Sequence, residues 1–292
     1  MVDCAVRDNL HATGSPGYGR GGLGVYIMGG EMRRCDISGN QIAYSWADYM
    51  FAGGVFQTGG IVRDCAITNN YAARWNTVNP VAGGARVDGG LMERCVISGN
   101  INGSYTDTLK ADGVKNSAGG LIVNGAAIVR NCLVSGNSVT NHSPETSAGL
   151  MLTAAASAGA VTNLTVAGNI DLAASAPLAA YVAAGRVCNA ILWGDGIPSD
   201  VTWAGGTITC SCFASATTGD GSGNLASDPS FRNAGTGDYR ISVASPCVDA
   251  GCNGGWIAAD TDLAGAARIL GRHVDIGAYE NTAARGTMLL LR

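Results

Sequence analysis

A nine-residue pattern that recurs along the first two-thirds of the chain constrains its fold more than any other feature. Each clear copy starts with an apolar residue, continues through a cysteine or leucine and an alternating segment, and ends with asparagine. The clear copies span residues 32–40, 62–70, 92–100, 129–137 and 161–169. With partial copies at both ends, the key position falls at residues 4, 35, 65, 95, 132, 164 and 188, in steps of 24 to 37 residues. A period of that size is typical of a solenoid.

The local pattern indicates which kind of solenoid this is. Apolar residues alternate with polar ones within each copy, as at Met32, Cys35 and Ile37, and this alternation is typical of strands. Helical repeats would also tolerate 44 glycines poorly. A pair of small residues precedes each copy: Gly21-Gly22, Gly53-Gly54, Gly83-Gly84, Gly119-Gly120 and Ala148-Gly149.

We therefore predict an all-β fold, a single-stranded right-handed parallel β-helix with an irregular C-terminal cap. The coils, of about 30 residues each, are expected over residues 1–195, with terminal coils and the capping region over 196–292. Stacking coils pairs every strand with the next one and buries a continuous interior column.

Equivalent residues of stacked coils lie above one another, so the repeat predicts three interior ladders. The first is a ladder of buried free thiols, with Cys188 as a sixth, divergent member after Cys4, Cys35, Cys65, Cys95 and Cys132. The second is aliphatic: Ile37, Ile67, Ile97 and Val134. The third consists of asparagines at a bend, whose amides satisfy backbone groups of the turn: Asn40, Asn70, Asn100, Asn137 and Asn169.

Four further cysteines lie outside the ladder, at Cys210, Cys212, Cys247 and Cys252. Their C-x-C and C-x4-C spacing is not a standard zinc motif, so we favour apolar packing or one local disulfide over a metal site. The sequence does not decide between these two arrangements.

Composition and charge limit the classes of partner. The net charge is −4 and no run of Lys and Arg is present, so nucleic-acid binding has little support. No apolar run reaches the ~18 residues of a membrane span, and residues after Met1 do not form a signal peptide. The coil pattern already includes Cys4, so we expect an upstream segment or another subunit to cover the first coil.

The C-terminal third carries specific motifs at residues 228–231, 237–239, 245–251, 262–268 and 274–280. This series (DP-x-F, GDY, SP-x-x-DAG, D-x-x-G-x-x-R and VDIGAYE) resembles the end of bacterial β-helix proteins of the choice-of-anchor Q type. The upstream coils resemble, more loosely, pectate-lyase-like proteins. The resemblance implies a secreted or cell-surface protein, and it implies little about chemistry.

The same region is expected to close the open end of the solenoid. A charge network of five residues is the favoured arrangement: Asp249, Asp262, Arg268, Asp275 and Glu280. A Ca²⁺ site using Asp260 and Asp262 is the alternative, although their spacing matches no known calcium loop. No other cofactor is predicted.

The chain's few aromatic residues concentrate in the segments that follow the asparagines. Aromatic rings with nearby acids and amides suit sugars, so we predict a ligand-binding set on these loops: Tyr44, Trp46, Asp48, Arg74, Trp75 and Tyr105. Packing of the same side chains onto the coil is the competing interpretation.

Two functions remain open from the sequence. The first is a non-catalytic extracellular protein that binds glycans or acts as an adhesin or structural stalk. The second is a polysaccharide lyase or glycoside hydrolase acting on an extended chain, for which Asp107, Lys110 and Asp112 are the catalytic candidates. No diagnostic catalytic motif marks them.

Overall fold

The chain folds as a solenoid of short parallel strands. A computed structural model describes residues 1–11, 21–42, 50–74, 80–104, 117–140, 146–172, 176–177, 179–194, 201–214 and 221–283. Within these ranges the path runs through five sheets in the fixed order A, B, C, D, E and back to A. The result is a right-handed parallel β-helix of about five complete turns, from Ala5 to Thr162, followed by less complete ones.

The strands of each sheet come from successive turns. Sheet A contains Glu31–Arg33, Ile61–Arg63, Leu91–Glu93, Ile128–Arg130, Ala160–Thr162, Arg186–Cys188 and Thr207–Thr209. Sheet B contains Ala5–Arg7, Asp36–Ser38, Ala66–Thr68, Val96–Ser98, Leu133–Ser135, Thr165–Ala167 and Ile191–Trp193. Sheet C contains Leu10–His11, Gln41–Ile42, Tyr71–Arg74, Ile101–Ser104, Ser138–Val139, Ile170–Asp171 and the antiparallel Ala176–Pro177.

The other two coil sheets complete each turn. Sheet D contains Gly21–Gly22, Met50–Ala52, Val81–Ala82, Ser117–Ala118 and Thr146–Ser147. Sheet E contains Val25–Ile27, Val55–Gln57, Ala85–Val87, Leu121–Val123, Leu150–Leu152, Ala180–Val182 and Val201–Trp203. A two-stranded antiparallel hairpin, Phe231–Asn233 and Asp238–Ile241, lies outside the coil, and two short 3-10 helices span Ala154–Ala156 and Ala234–Thr236.

The aliphatic ladder is confirmed. Ile37, Ile67, Ile97 and Val134 pair in register along sheet B, and all are fully buried. Burying each such side chain stabilises the fold by about 1.5–3 kcal/mol. The coil therefore has an apolar interior, although the chain contains few aromatic residues.

The thiol ladder is confirmed in part. Cys35, Cys65, Cys95 and Cys132 are buried free thiols, whereas Cys4 is exposed. The prediction for Cys188 is wrong. Cys188 pairs with Thr162 at the end of a sheet A strand, and the ladder position of that turn belongs to Ala190.

The asparagine ladder is continuous from Asn40 to Asn169, with Asn9 added at its exposed end. The Nδ2 group of Asn70 donates to Oδ1 of Asn100 at 2.9 Å, and Asn100 donates likewise to Asn137 at 2.9 Å. A second Nδ2 hydrogen bond reaches a carbonyl of the preceding turn, such as that of Ile67 at 2.9 Å. These contacts satisfy buried polar groups that would otherwise be costly.

The glycine column explains how the asparagines fit. Gly54 and Gly84 lie directly across from the ladder, and a Cβ at Gly84 would lie 2.8 Å from Nδ2 of Asn100 and 2.7 Å from the carbonyl of Gly120. Only glycine allows this approach. In the first turn the equivalent residue is Gly24, since Val25 pairs with Val55, so the Gly21-Gly22 pair predicted from the sequence is out of register.

Sheets A and B meet at a corner where one residue per turn has positive φ, such as Arg34 at 50° and Asn131 at 53°. Asparagine and aspartate tolerate this conformation better than most residues. We call this column the A–B corner, and its members are Asp3, Arg34, Asp64, Arg94, Asn131, Asn163, Asn189 and Cys210.

Candidate functional site

The segments that interrupt the first five turns all leave the coil at one edge. Residues 12–20, 43–49, 75–79, 105–116 and 141–145 each follow a sheet C strand and precede a sheet D strand. Because the flanking strands are stacked in register, the exit and re-entry points lie above one another along the solenoid. We call this line of exit points the insertion edge. It agrees with the expectation that the loops after the asparagines emerge along one side.

The predicted site residues belong to these insertions. Nearly all of them lie outside the described residues: Tyr44, Trp46, Asp48, Trp75, Tyr105, Asp107, Lys110 and Asp112. Arg74 is the last residue of the strand Tyr71–Arg74 and pairs with Ser104, but its side chain is likewise outside the described part. Their roles therefore stay predictions.

A row of large side chains on sheet E lies next to the re-entry points. Alternation along each strand places one residue per turn on the outer face, opposite the buried interior column. In register, the row reads Tyr26, Phe56, Arg86, Ile122, Met151 and Tyr181. This row was not predicted from the sequence, although its members recur two residues after the glycine column.

The start of this row is an aromatic cluster around one cation. The rings of Tyr26 and Phe56 stack with centroids 5.1 Å apart, and Phe51 packs on Phe56 at 4.8 Å. The Arg86 guanidinium lies 4.5 Å from the Phe51 ring centroid and is held by two hydrogen bonds to Asp88, at 2.7 and 2.8 Å.

Exposure limits what this cluster can contact. Arg86 is only 5% exposed and Phe56 only 4%, whereas Tyr26 is 39% exposed. Arg86 therefore has a structural role in the sheet beside the insertion edge. Tyr26 is the ring that a ligand could reach. Stacking on such a ring is a common mode of sugar binding.

The acidic residues predicted to form a charge network do come together. Arg268 is fully buried and pairs with Glu280 at 2.9 Å, and it also donates to the carbonyls of Asp275 and Gly277. Burial raises the pKa of Glu280 to about 8, although the guanidinium opposes this shift. Burial likewise raises the pKa of Asp275 to about 6 and lowers that of Arg268.

The carboxylates of this network accept hydrogen bonds from backbone amides. Asp262 accepts hydrogen bonds from the amides of Ala264, Ala266 and Glu280, and Asp275 accepts from those of Asp249 and Asn281. Both carboxylate oxygens of Asp262 therefore accept hydrogen bonds from the backbone. Across the described ranges, no group of three or more His, Cys, Asp or Glu side chains is arranged to hold a metal ion.

The C-terminal strap, residues 245–281, lies along the side of the coil over the A–B corner. Asn131 donates to the Thr261 carbonyl at 2.9 Å, Asn163 to that of Asp275 at 2.9 Å, and Asn189 to that of Cys252 at 2.9 Å. These three bonds connect the strap to three turns, and the disulfide Cys210–Cys252 attaches it to a fourth, at the last of the corner positions.

The corner positions before the strap are charged instead. Arg34 pairs with Asp3 at 2.6 Å and Arg94 with Asp64 at 2.7 Å, and all four are solvent-accessible to some degree. Exposed pairs of this kind contribute about 0–1 kcal/mol each. The residue type at the corner thus follows from whether the strap covers it.

The stacked sheets and ladders define a right-handed parallel β-helix protein. Comparisons with family models, with curated proteins and with solved structures found no match for this chain. The resemblance to choice-of-anchor Q and pectate-lyase-like proteins consequently rests on the sequence motifs alone. Within the described residues, none of the helices has the length and apolar character needed to cross a membrane.

Proposed function

We propose that this protein is an extracellular or cell-surface β-helix protein that binds a glycan along the insertion edge without cleaving it. The observation that carries the proposal is the alignment of the insertion exits, turn after turn, along one edge of a rigid coil. Parallel strands are spaced ~4.8 Å apart, so such an edge offers closely repeated contacts to an extended polymer.

Residue chemistry supports the same proposal. The insertions contain Trp46 and Trp75 in neighbouring turns, and the accessible ring of Tyr26 borders the same edge. Aromatic rings stack on the apolar faces of sugars, while acids and amides hydrogen-bond their hydroxyls. The disulfide Cys210–Cys252 supports an oxidising, extracellular location, since disulfides persist in such compartments.

A glycan array of acidic and neutral polysaccharides tests the proposal. We expect the protein to retain at least one polysaccharide, and we expect Trp46→Ala and Trp75→Ala each to weaken that binding at least tenfold. Ile128→Ala is the control, because Ile128 is an exposed apolar residue on sheet A, away from the insertion edge. Equal binding by all three variants and the unmodified protein would contradict the proposal.

A product assay on the same polysaccharides distinguishes the enzymatic alternative from non-catalytic binding. New reducing ends or unsaturated products, lost in Asp107→Ala, Lys110→Ala or Asp112→Ala, would indicate a hydrolase or lyase. Binding without product would support the non-catalytic function.

A further inference from the structure

The strap and the end of the coil share a second pair of cysteines besides Cys210–Cys252. Cys212 continues sheet B, since it bridges Ile191 and its amide donates to the Ala190 carbonyl at 2.8 Å. Cys247 lies in the strap, where its carbonyl accepts from the amide of Ile276 at 2.9 Å. One cysteine thus belongs to the coil and the other to the strap.

These two side chains belong to one buried cluster. Both are fully buried, together with Ile191, Trp193 and Ile276. The Cys212 thiol donates to the Ser227 carbonyl at 3.0 Å, and its interaction with Cys247, together with burial, raises the pKa of Cys212. The packing therefore places one thiol of the coil and one thiol of the strap in the same apolar cluster.

We propose that Cys212 and Cys247 form a second disulfide, nested within the first. Cys210 and Cys252 enclose both residues in sequence, and all four connect the last coil to the strap. The coil and strap backbones hold both cysteines in place, so the bond would fasten the strap from inside its apolar cluster, whereas Cys210–Cys252 fastens it at the A–B corner.

Thiol–disulfide exchange with glutathione disulfide supplies the oxidation. The Cys212 thiolate attacks one sulfur and releases a glutathione thiolate, and Cys247 then attacks the mixed disulfide and releases the second. The two protein thiols lose two electrons and two protons, and glutathione disulfide is reduced to two glutathione thiols. Because both cysteines are fully buried after folding, the exchange takes place before the strap closes.

The first test counts thiols. The protein is refolded in a mixture of reduced and oxidised glutathione, denatured without reductant, and alkylated. With Cys210–Cys252 alone, eight of the ten cysteines would be labelled. The second disulfide reduces that number to six, and labelling of eight thiols would overturn the proposal.

The second test locates the bond. Trypsin leaves Cys210 and Cys212 in peptide 187–232 and Cys247 and Cys252 in peptide 241–268. In a Cys188→Ser, Cys210→Ser, Cys252→Ser variant, we expect the two peptides to remain cross-linked without reductant. Adding Cys212→Ser is the matched control and should release them. Separate, alkylated peptides in the first variant would contradict the proposal, and the thiol count of the unmodified protein decides the matter if the variant does not fold.

Discussion

Arg268 and Glu280 form an ion pair at 2.9 Å in which both side chains are almost fully buried. Burying polar groups costs free energy unless they are paired, so this pair stabilises the strap only while both partners are present. The guanidinium also binds carbonyls of the strap and, at 3.4 Å, Asn131 of the coil. The pair is therefore the point where strap and coil are electrostatically connected.

We expect Arg268→Ala to lower the free energy of unfolding by several kcal/mol, because it leaves the Glu280 carboxyl and the carbonyls of Asp275 and Gly277 buried without their donor, at about 1–3 kcal/mol per unsatisfied group. Chemical denaturation monitored by circular dichroism measures this change. Arg240→Ala is the control, since Arg240 pairs with Asp238 on the surface, and it should cost at most about 1 kcal/mol. Equal effects of the two substitutions would contradict a buried ion pair.

The pH dependence of stability should have an unusual sign. Glu280 has a pKa of about 8 in the folded protein against an ordinary value of 4.5, so the folded state binds this proton more tightly. The contribution is complete below about pH 4.5 and is lost as the pH rises towards 8. Stability should fall over this range, by no more than about 1.4 kcal/mol per pH unit. Asp275 acts in the same direction at lower pH.

Glu280→Gln should flatten this slope, measured by urea denaturation at a series of pH values. Glu31→Gln is a suitable comparison, because the hydrogen bond from Arg63 lowers the pKa of Glu31 below its ordinary value. Its replacement should leave the slope above pH 5 unchanged. A Glu280→Gln protein with the unmodified slope would show that Glu280 does not control it.

Substitutions in the asparagine ladder should destabilise the protein most at the centre of the ladder. Asn100→Ala removes the acceptor of two hydrogen bonds from Asn70 and two donors, all in a fully buried site. Each unsatisfied buried group costs about 1–3 kcal/mol, so we expect a loss of several kcal/mol, measured as a lower melting temperature. Asn9→Ala, at the exposed end of the ladder, should cost far less, and similar losses at both positions would contradict the ladder's role.

Introducing a charged side chain tests which face of each strand is buried. Ile97→Asp places a carboxylate in the interior column and should prevent stable folding or shift the pKa of the new group strongly. Ile128→Asp places the same side chain on the outer face of sheet A, where Ile128 is 49% exposed, and should be nearly neutral. Thermal unfolding of both variants distinguishes the faces, and the opposite order would mean that they are reversed.

The sequence predicted the interior well because each interior position recurs in several turns, so several residues support the same assignment. The position of Ile97 is supported by Ile37 and Ile67, and the Asn100 position by its neighbours in the ladder. Cys188 misled the prediction because its turn is shorter and a cysteine stands two residues before the ladder position. One irregular turn is enough to shift a register that rests on residue type.

The strap contacts and the arrangement of the candidate binding residues could not be predicted in this way, for different reasons. Arg268 contacts Asn131 across 137 positions of sequence, and no local pattern specifies so distant a pairing. The candidates in the insertions, such as Trp46 and Trp75, belong to segments that do not repeat, so nothing in the periodicity constrains their arrangement. Only their common exit edge follows from the repeat.

The limited reach of the strap has a consequence for how the solenoid can change in length. The strap holds four turns, through Asn131, Asn163, Asn189 and the disulfide at Cys210, while the preceding turns carry exposed charges at the same corner. A whole early turn can therefore be duplicated or deleted without disturbing these strap contacts, whereas the last four turns must keep their number and spacing. The molecule combines an extensible portion with a portion of fixed length.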